Sequence, residues 1–195
     1  MPKRVIAAML AGLCLPVGVA SAGERFPDEA APDLTAAFLY NFARYTEWPD
    51  SSTADADRPI VFAVIGNDRV VRALLRLGKQ PLNGRGIVAR SVPVPDDGES
   101  RQGIRKKVGE ADVVFVAAKC RKIAPPILDA LSDNEVLTVG AFHGFIQDGG
   151  MLNLEIRDDR IRFEANPDSI KRRGLRLSSE VLGLAKIVQT ERAAQ

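Results

Sequence analysis

Two short runs limit most strongly what this chain can become. Ile60–Ile65 reads IVFAVI and Val113–Ala117 reads VVFVA. Both are unbroken, apolar and rich in β-branched residues, so neither side of such a strand suits water. Strands of this kind belong inside a parallel sheet covered on both faces. The intervening sequence agrees. Gly66-Asn67-Asp68 turns the chain into a helix over roughly Arg69–Leu77, and Gly84–Val92 reads as a second strand. Ser100–Gly109 reads as a helix. Ala124–Leu131 reads as another, with Pro125-Pro126 in its first turn, where proline is tolerated. Val136–Val139 is a fourth short strand. This alternation predicts an α/β fold with a mostly parallel sheet and helices on both faces. The period then changes to two: Met151–Arg157 and Arg160–Ala165 flank Asp158-Asp159 as a C-terminal β-hairpin. Val181, Leu184, Ala185 and Val188 at i, i+3, i+4 and i+7 predict a final helix.

The N-terminus has a separate character. Lys3 and Arg4 precede an apolar run from Val5 to Ala20, followed by Ala20-Ser21-Ala22, the small-x-small pattern of a signal-peptidase site. Residues 1–22 are therefore expected to be a Sec-type signal peptide, cleaved after Ala22, and the protein periplasmic. Residues 23–32 read as a flexible lead-in, 33–190 as a single α/β domain and 191–195 as a tail. Lys3 and Arg4 account for the whole excess of 27 Lys+Arg over 25 Asp+Glu, so the mature chain is formally neutral. A neutral chain without clustered cations lacks the electrostatic footprint of a nucleic-acid binder. Cys14 leaves with the signal. Cys120 is then alone and cannot form a disulfide within the chain.

Little in the sequence suggests catalysis. Gly66-Asn67-Asp68 sits where α/β proteins hold phosphates, but it lacks the three-glycine fingerprint and reads as a turn with a helix cap. Gly78-Lys79 lacks the glycine loop of a P-loop, and Gly84-Arg85-Gly86 precedes a strand rather than a helix. His143 is the single histidine, so no metal-ligand set is recognisable. No serine stands in a Gly-x-Ser-x-Gly turn. The chain reads as a non-enzyme with no metal and no cofactor. The competing reading is a periplasmic small-molecule receptor or enzyme using the crevice at the carboxyl ends of the parallel strands, lined by Gly66–Asp68 and Ala117–Lys119.

The most unusual stretch is AAFLYNFARYTEWP at Ala36–Pro49. Phe38, Tyr40, Phe42, Tyr45 and Trp48 are five of the 11 aromatic residues. Asp33 would cap a helix over Leu34–Thr46, and Pro49 would end it before a polar loop, Asp50–Pro59. At 3.6 residues per turn Leu34, Ala37, Phe38, Phe42 and Tyr45 form one stripe expected to pack on the sheet. Leu39, Ala43 and Thr46 widen it, while Tyr40, Arg44 and Trp48 fall off it.

Four other pieces join this one: Leu137-Thr138-Val139-Gly140, Gly144-Phe145-Ile146 leading to Gly149-Gly150-Met151-Leu152-Asn153, Arg160–Asn166, and Gly174-Leu175-Arg176-Leu177-Ser178-Ser179. Together, in this order and behind a signal peptide, they resemble the YfiR family of bacterial periplasmic proteins (DUF4154) over about Leu34 to Val188. The resemblance implies a Rossmann-like α/β domain, often dimeric, so a homodimer joins the expectations. It implies a negative regulator that binds the periplasmic sensory part of an inner-membrane diguanylate cyclase, lowering cyclic-di-GMP synthesis and biofilm formation. Family members often carry a cysteine near the start of the third strand. This chain has Glu110-Ala111-Asp112-Val113 there, so a disulfide switch within one chain is not expected. Aromatic and arginine residues are the usual interface anchors. The candidate partner-binding residues are therefore Tyr40, Arg44, Tyr45 and Trp48 around the end of the first helix, Phe145 in the glycine-flanked loop, and Arg162, Glu164 and Asn166. Alternation points Phe163 inward and Arg162 and Glu164 outward.

Overall fold

The apolar runs form the middle of a seven-stranded sheet. The computed structural model describes residues 25–49 and 58–190. The expectations for the signal peptide, for most of the Asp50–Pro59 loop and for the 191–195 tail lie outside the described residues. Among the described residues no helix is long and apolar enough to cross a membrane. In chain order the elements are helices α1 (Pro27–Ala30) and α2 (Pro32–Arg44), strands β1 (Thr46–Glu47) and β2 (Ile60–Ile65), α3 (Asp68–Leu77), β3 (Ile87–Val92), α4 (Arg101–Val108) and β4 (Val113–Val116). A 3-10 turn (Ala118–Ile123) leads into α5 (Ala124–Ala130). Then come β5 (Leu137–Gly140), β6 (Leu152–Arg157), β7 (Arg160–Ala165), α6 (Pro167–Arg172), β8 (Arg176–Leu177), α7 (Ser179–Leu182) and β9 (Lys186–Ile187).

The sheet order is β3-β2-β4-β5-β6-β7-β9. β2 pairs in parallel with both β3 and β4, β4 with β5, and β5 with β6. The hairpin supplies the antiparallel pair, β6 with β7, in register Leu154↔Phe163. Asp158 and Asp159 both carry φ near +50° (52° and 54°), the left-handed pair a two-residue hairpin turn demands. β9 closes the far edge, parallel to β7.

The alternation along the strands divides the core in two. One face carries Phe62, Val64, Phe115, Val139, Leu152, Leu154 and Phe163 against α2 and α3. The other carries Ala63, Ile65, Val114 and Val116 against α4 and α5. Each of these large side chains contributes about 1.5–3 kcal/mol by leaving water. At the amino end of β2 and β4 the buried Asp112 pairs with Arg58 (2.6 Å) and accepts the Val61 amide (2.8 Å). Burial pushes its carboxyl above the usual range, against the pull of the Val61 amide and the Arg58 charge.

Four expectations need correction. The 23–32 lead-in is not a loose segment throughout: Pro27–Ala30 is helical, and Asp28 is buried. The final helix stops at Leu182. Gly183 weakens continuation, Leu184 is 78% exposed, and Lys186–Ile187 joins the sheet. The stripe on α2 is rotated. Thr35, Ala36, Leu39, Phe42 and Ala43 are its buried residues, and Leu34 and Tyr45 are left exposed. The helix also starts earlier than expected, at Pro32. Its N-cap position is Ala31, without a side-chain cap, so Asp33 lies inside the first turn.

Candidate functional site

The end of α2 is held by its neighbours. Thr46 Oγ1 donates to the Phe42 carbonyl (2.7 Å), and the Ser178 amide donates to the Tyr45 carbonyl (3.0 Å). β1 pairs antiparallel with β8, Thr46 opposite Leu177 and Glu47 opposite Arg176. Asn83 Nδ2 donates to the Arg44 carbonyl (2.9 Å). On this frame the Arg44 guanidinium sits 5.9 Å from the centre of the exposed Tyr45 ring, a cation–π pair held at the surface. Tyr40 and Trp48 are half-buried and pack against the α2-side core. The indole Nε1 of Trp48 is buried and makes no hydrogen bond. Phe38 belongs to the core edge, 6.1 Å from Phe163 and 5.9 Å from Phe42.

The other candidates are not gathered here. Phe145 is fully buried. Its ring lies on Gly140 and Gly150, where any β-carbon would overlap it, and meets Phe142 edge-on at 5.4 Å. The glycine pattern around Phe145 is a slot for a ring, not a loop presenting one. Glu164 is also buried, contrary to the alternation argument. Its Oε1 accepts from Lys186 Nζ (2.7 Å) and its Oε2 from Asn153 Nδ2 (3.3 Å). β9, which the sequence did not reveal, pairs beside β7 and places Lys186 opposite Glu164. Asn166 is buried as the cap of α6, its Oδ1 accepting the Ser169 amide (3.0 Å). Only Arg162 of this group is exposed. Alternation from Phe163 puts it on the sheet face away from α2, so it does not join Arg44 and Tyr45. As the molecule stands, Phe145, Glu164 and Asn166 offer no surface to a partner, and Arg44 with Tyr45 is the exposed remnant.

The crevice at the carboxyl ends of the strands is occupied by the chain itself. Asn67 caps α3, its Oδ1 accepting the Arg69 and Val70 amides. Gly66 has φ +90°, and a β-carbon there would press on Cys120 Sγ and Ala117. α1 lies across the opening. Asn67 Nδ2 donates to the Asp28 carbonyl (2.9 Å) and to Asp28 Oδ2 (3.0 Å). Sequence reasoning anticipated the cap at Gly66-Asn67-Asp68 but missed Asp28. Its one cue was Pro27, a residue favoured at the first position of a helix. Cys120 is a free cysteine, and burial raises its thiol above the usual range. Among the described residues no group of three or more His, Cys, Asp or Glu could hold a metal ion. His143 is exposed beside a hollow of about 390 Å3 that Arg25, Phe26 and Glu155 also line.

Solved structures share the fold. A conserved domain protein from Vibrio cholerae superposes with TM-score 0.54 at 10% identity, covering 80% of this chain and 60% of its own. An ABC domain in complex with L-Trp from Streptococcus pneumonia gives 0.57 at 10% identity, over 78% and 60%. A substrate binding protein with adhesive properties from Clostridium difficile gives 0.50 at 18% identity, over 68% and 55%. The chain thus spans little more than half the length of these proteins, and at such identities they speak for the α/β architecture alone. The family comparison is more specific, for the model described as YfiR/HmsC-like (DUF4154) matches residues 32–186, nearly all of the sheet and its helices, and the chain belongs to that family.

Proposed function

We propose that this protein is a periplasmic negative regulator that binds the periplasmic part of a membrane-bound diguanylate cyclase and represses cyclic-di-GMP synthesis. The family match across 32–186 carries this reading. The geometry adds a surface to it. Arg44 and Tyr45 stand exposed on a braced helix end, with Tyr40 and Trp48 half-buried beside them. A rigid aromatic–arginine pair of this type can anchor a partner at little entropic cost. As the whole function the crevice reading has less support, because α1 lies across the opening through which a small molecule would enter. Two measurements test the proposal. Deleting the gene in a strain with an intact cyclase partner should raise cellular cyclic-di-GMP. The purified protein should bind the partner's periplasmic segment, and unchanged cyclic-di-GMP together with no binding would sink it.

A further inference from the structure

Open α/β sheets bind ligands outside the carboxyl ends of their strands, where neighbouring connections leave toward opposite faces. Here that point lies between β2 and β4. β2 runs through α3 to β3 on one side and neighbours β4 on the other, and α3 and α4 cover opposite faces. The chemistry gathered there suits an anion. The amino end of the ten-residue α3 opens onto it. The Asn67 amide group projects from the cap, and the exposed Lys119 runs its side chain against Gly66.

The present occupant is Asp28, only 1% exposed. One carboxylate oxygen takes the Asn67 hydrogen bond, and the other, Oδ1, has no full hydrogen-bond partner. Desolvation raises its pKa, while Asn67 and, more weakly, the Ala118 amide pull it back. The charged and titratable groups around it are Glu29 on its own helix, Arg69 on α3, and Lys119 and Cys120 on the 3-10 turn. A buried carboxylate with a half-empty set of partners is a poor choice if the only task is to fasten a helix.

The hydrogen-bonded fastening is also slight. Beyond the Asn67 bonds, its polar ties are Arg69 to the Glu29 carbonyl (3.3 Å) and an exposed Arg25–Asp159 pair (2.9 Å), and its apolar ties are Phe26 against the α5-side core and the buried Pro27. A hollow lies on each side of it. One of about 390 Å3 reaches Phe142 and His143. One of about 410 Å3 reaches Lys119, Arg121 and Lys122, and Phe26 lines both.

We propose that residues 25–31 form a releasable strap, and that the Asp28 carboxylate stands in for a small carboxylate- or phosphate-bearing ligand in the crevice between β2 and β4. Admission of the ligand displaces Asp28 from Asn67 and frees the strap. This does not depend on the cyclase reading, because the test uses the purified protein alone.

Inorganic phosphate and succinate serve as probes, titrated against wild type, Asp28→Ala and Lys119→Met, with binding followed by amide NMR shifts. A strap closed nine-tenths of the time weakens apparent affinity about tenfold. Asp28→Ala should therefore bind one of the two anions about tenfold more tightly than wild type, with shifts at Asn67–Val70 and Ala118–Cys120. Response to phosphate alone, or to succinate alone, names the head group. In wild type the effective anion should speed hydrogen exchange over residues 26–31. Lys119→Met should weaken binding without lowering the melting temperature. If Asp28→Ala folds poorly, Asp28→Ser draws the side chain back from Asn67 while keeping a polar group and should show the same gain. Equal affinities in wild type and both Asp28 variants, or shifts that map away from these residues, overturn the proposal.

Discussion

Phe145 and Tyr45 looked alike as aromatic residues in exposed-seeming segments, yet the fold treats them in opposite ways. Phe145 is sealed between Gly140 and Gly150 with Phe142 against its edge. Tyr45 stands at the end of α2 with Arg44 over its ring and solvent beyond. The difference lies in the neighbours. Glycines around a ring remove the side chains that would hold the backbone away, so the ring drops in. A charged neighbour on a helix end keeps the ring at the surface. An aromatic residue is evidence of an interface only once its packing partners are known.

The sharpest way to break that contrast is Phe145→Ala. Emptying a fully enclosed aromatic slot should cost about 3–5 kcal/mol in denaturant unfolding; a loss below about 1 kcal/mol would mean the slot is not sealed. Glu164→Ala comes next. It strips Asn153 and Lys186 of their shared acceptor and should cost about 1–3 kcal/mol, and any loss of partner binding should track the unfolded fraction. A smaller effect is expected from pH. The folded-state carboxyl of Asp28 is raised, so its contribution is fully present below the ordinary carboxylate value of about 3.9 and is lost as pH rises through the raised value. Between pH 4 and pH 7 the melting temperature of wild type should therefore fall relative to that of Asp28→Asn; parallel curves would show that Asp28 is not buried as described. At the other end of the scale, Arg44→Ala and Tyr45→Ala should change stability by less than about 0.5 kcal/mol. The same variants should weaken cyclase binding by about 2 kcal/mol, near thirtyfold. Normal binding by both would remove this surface from the function.

The sheet was legible because its signals are local. IVFAVI and RIRFEA were bounded to the residue, and Ser100 caps α4 as its chemistry suggests. The main failures share one cause, packing partners that no local period encodes. The stripe on α2 was assigned from hydrophobicity, but Thr35 and Ala36 are buried because α1, α3 and the sheet surround them. Glu164 alternates outward by period and is flanked by a two-residue strand that no period could reveal, which brings Lys186 to its carboxylate. α1 is four residues long and has no periodicity. Its conformation follows from where Asp28 docks, not from propensity. The family resemblance rested on glycine and aromatic spacing. The structure explains part of that spacing as the Phe145 slot, which is a requirement of folding rather than of binding.

The pairing of Thr46 with Leu177 has a consequence for how the molecule comes into being. A ribosome delivers the aromatic-rich α2 first, and the strand that braces its end, and Phe163 that receives Phe38 and Phe42, arrive only after β2–β6 have been made. Contacts this far apart along the chain slow folding. Until then α2 can pack on α3 but lacks Phe163 for its rings and β8 for its end. A chain truncated before Arg176 should therefore aggregate rather than fold to a smaller domain.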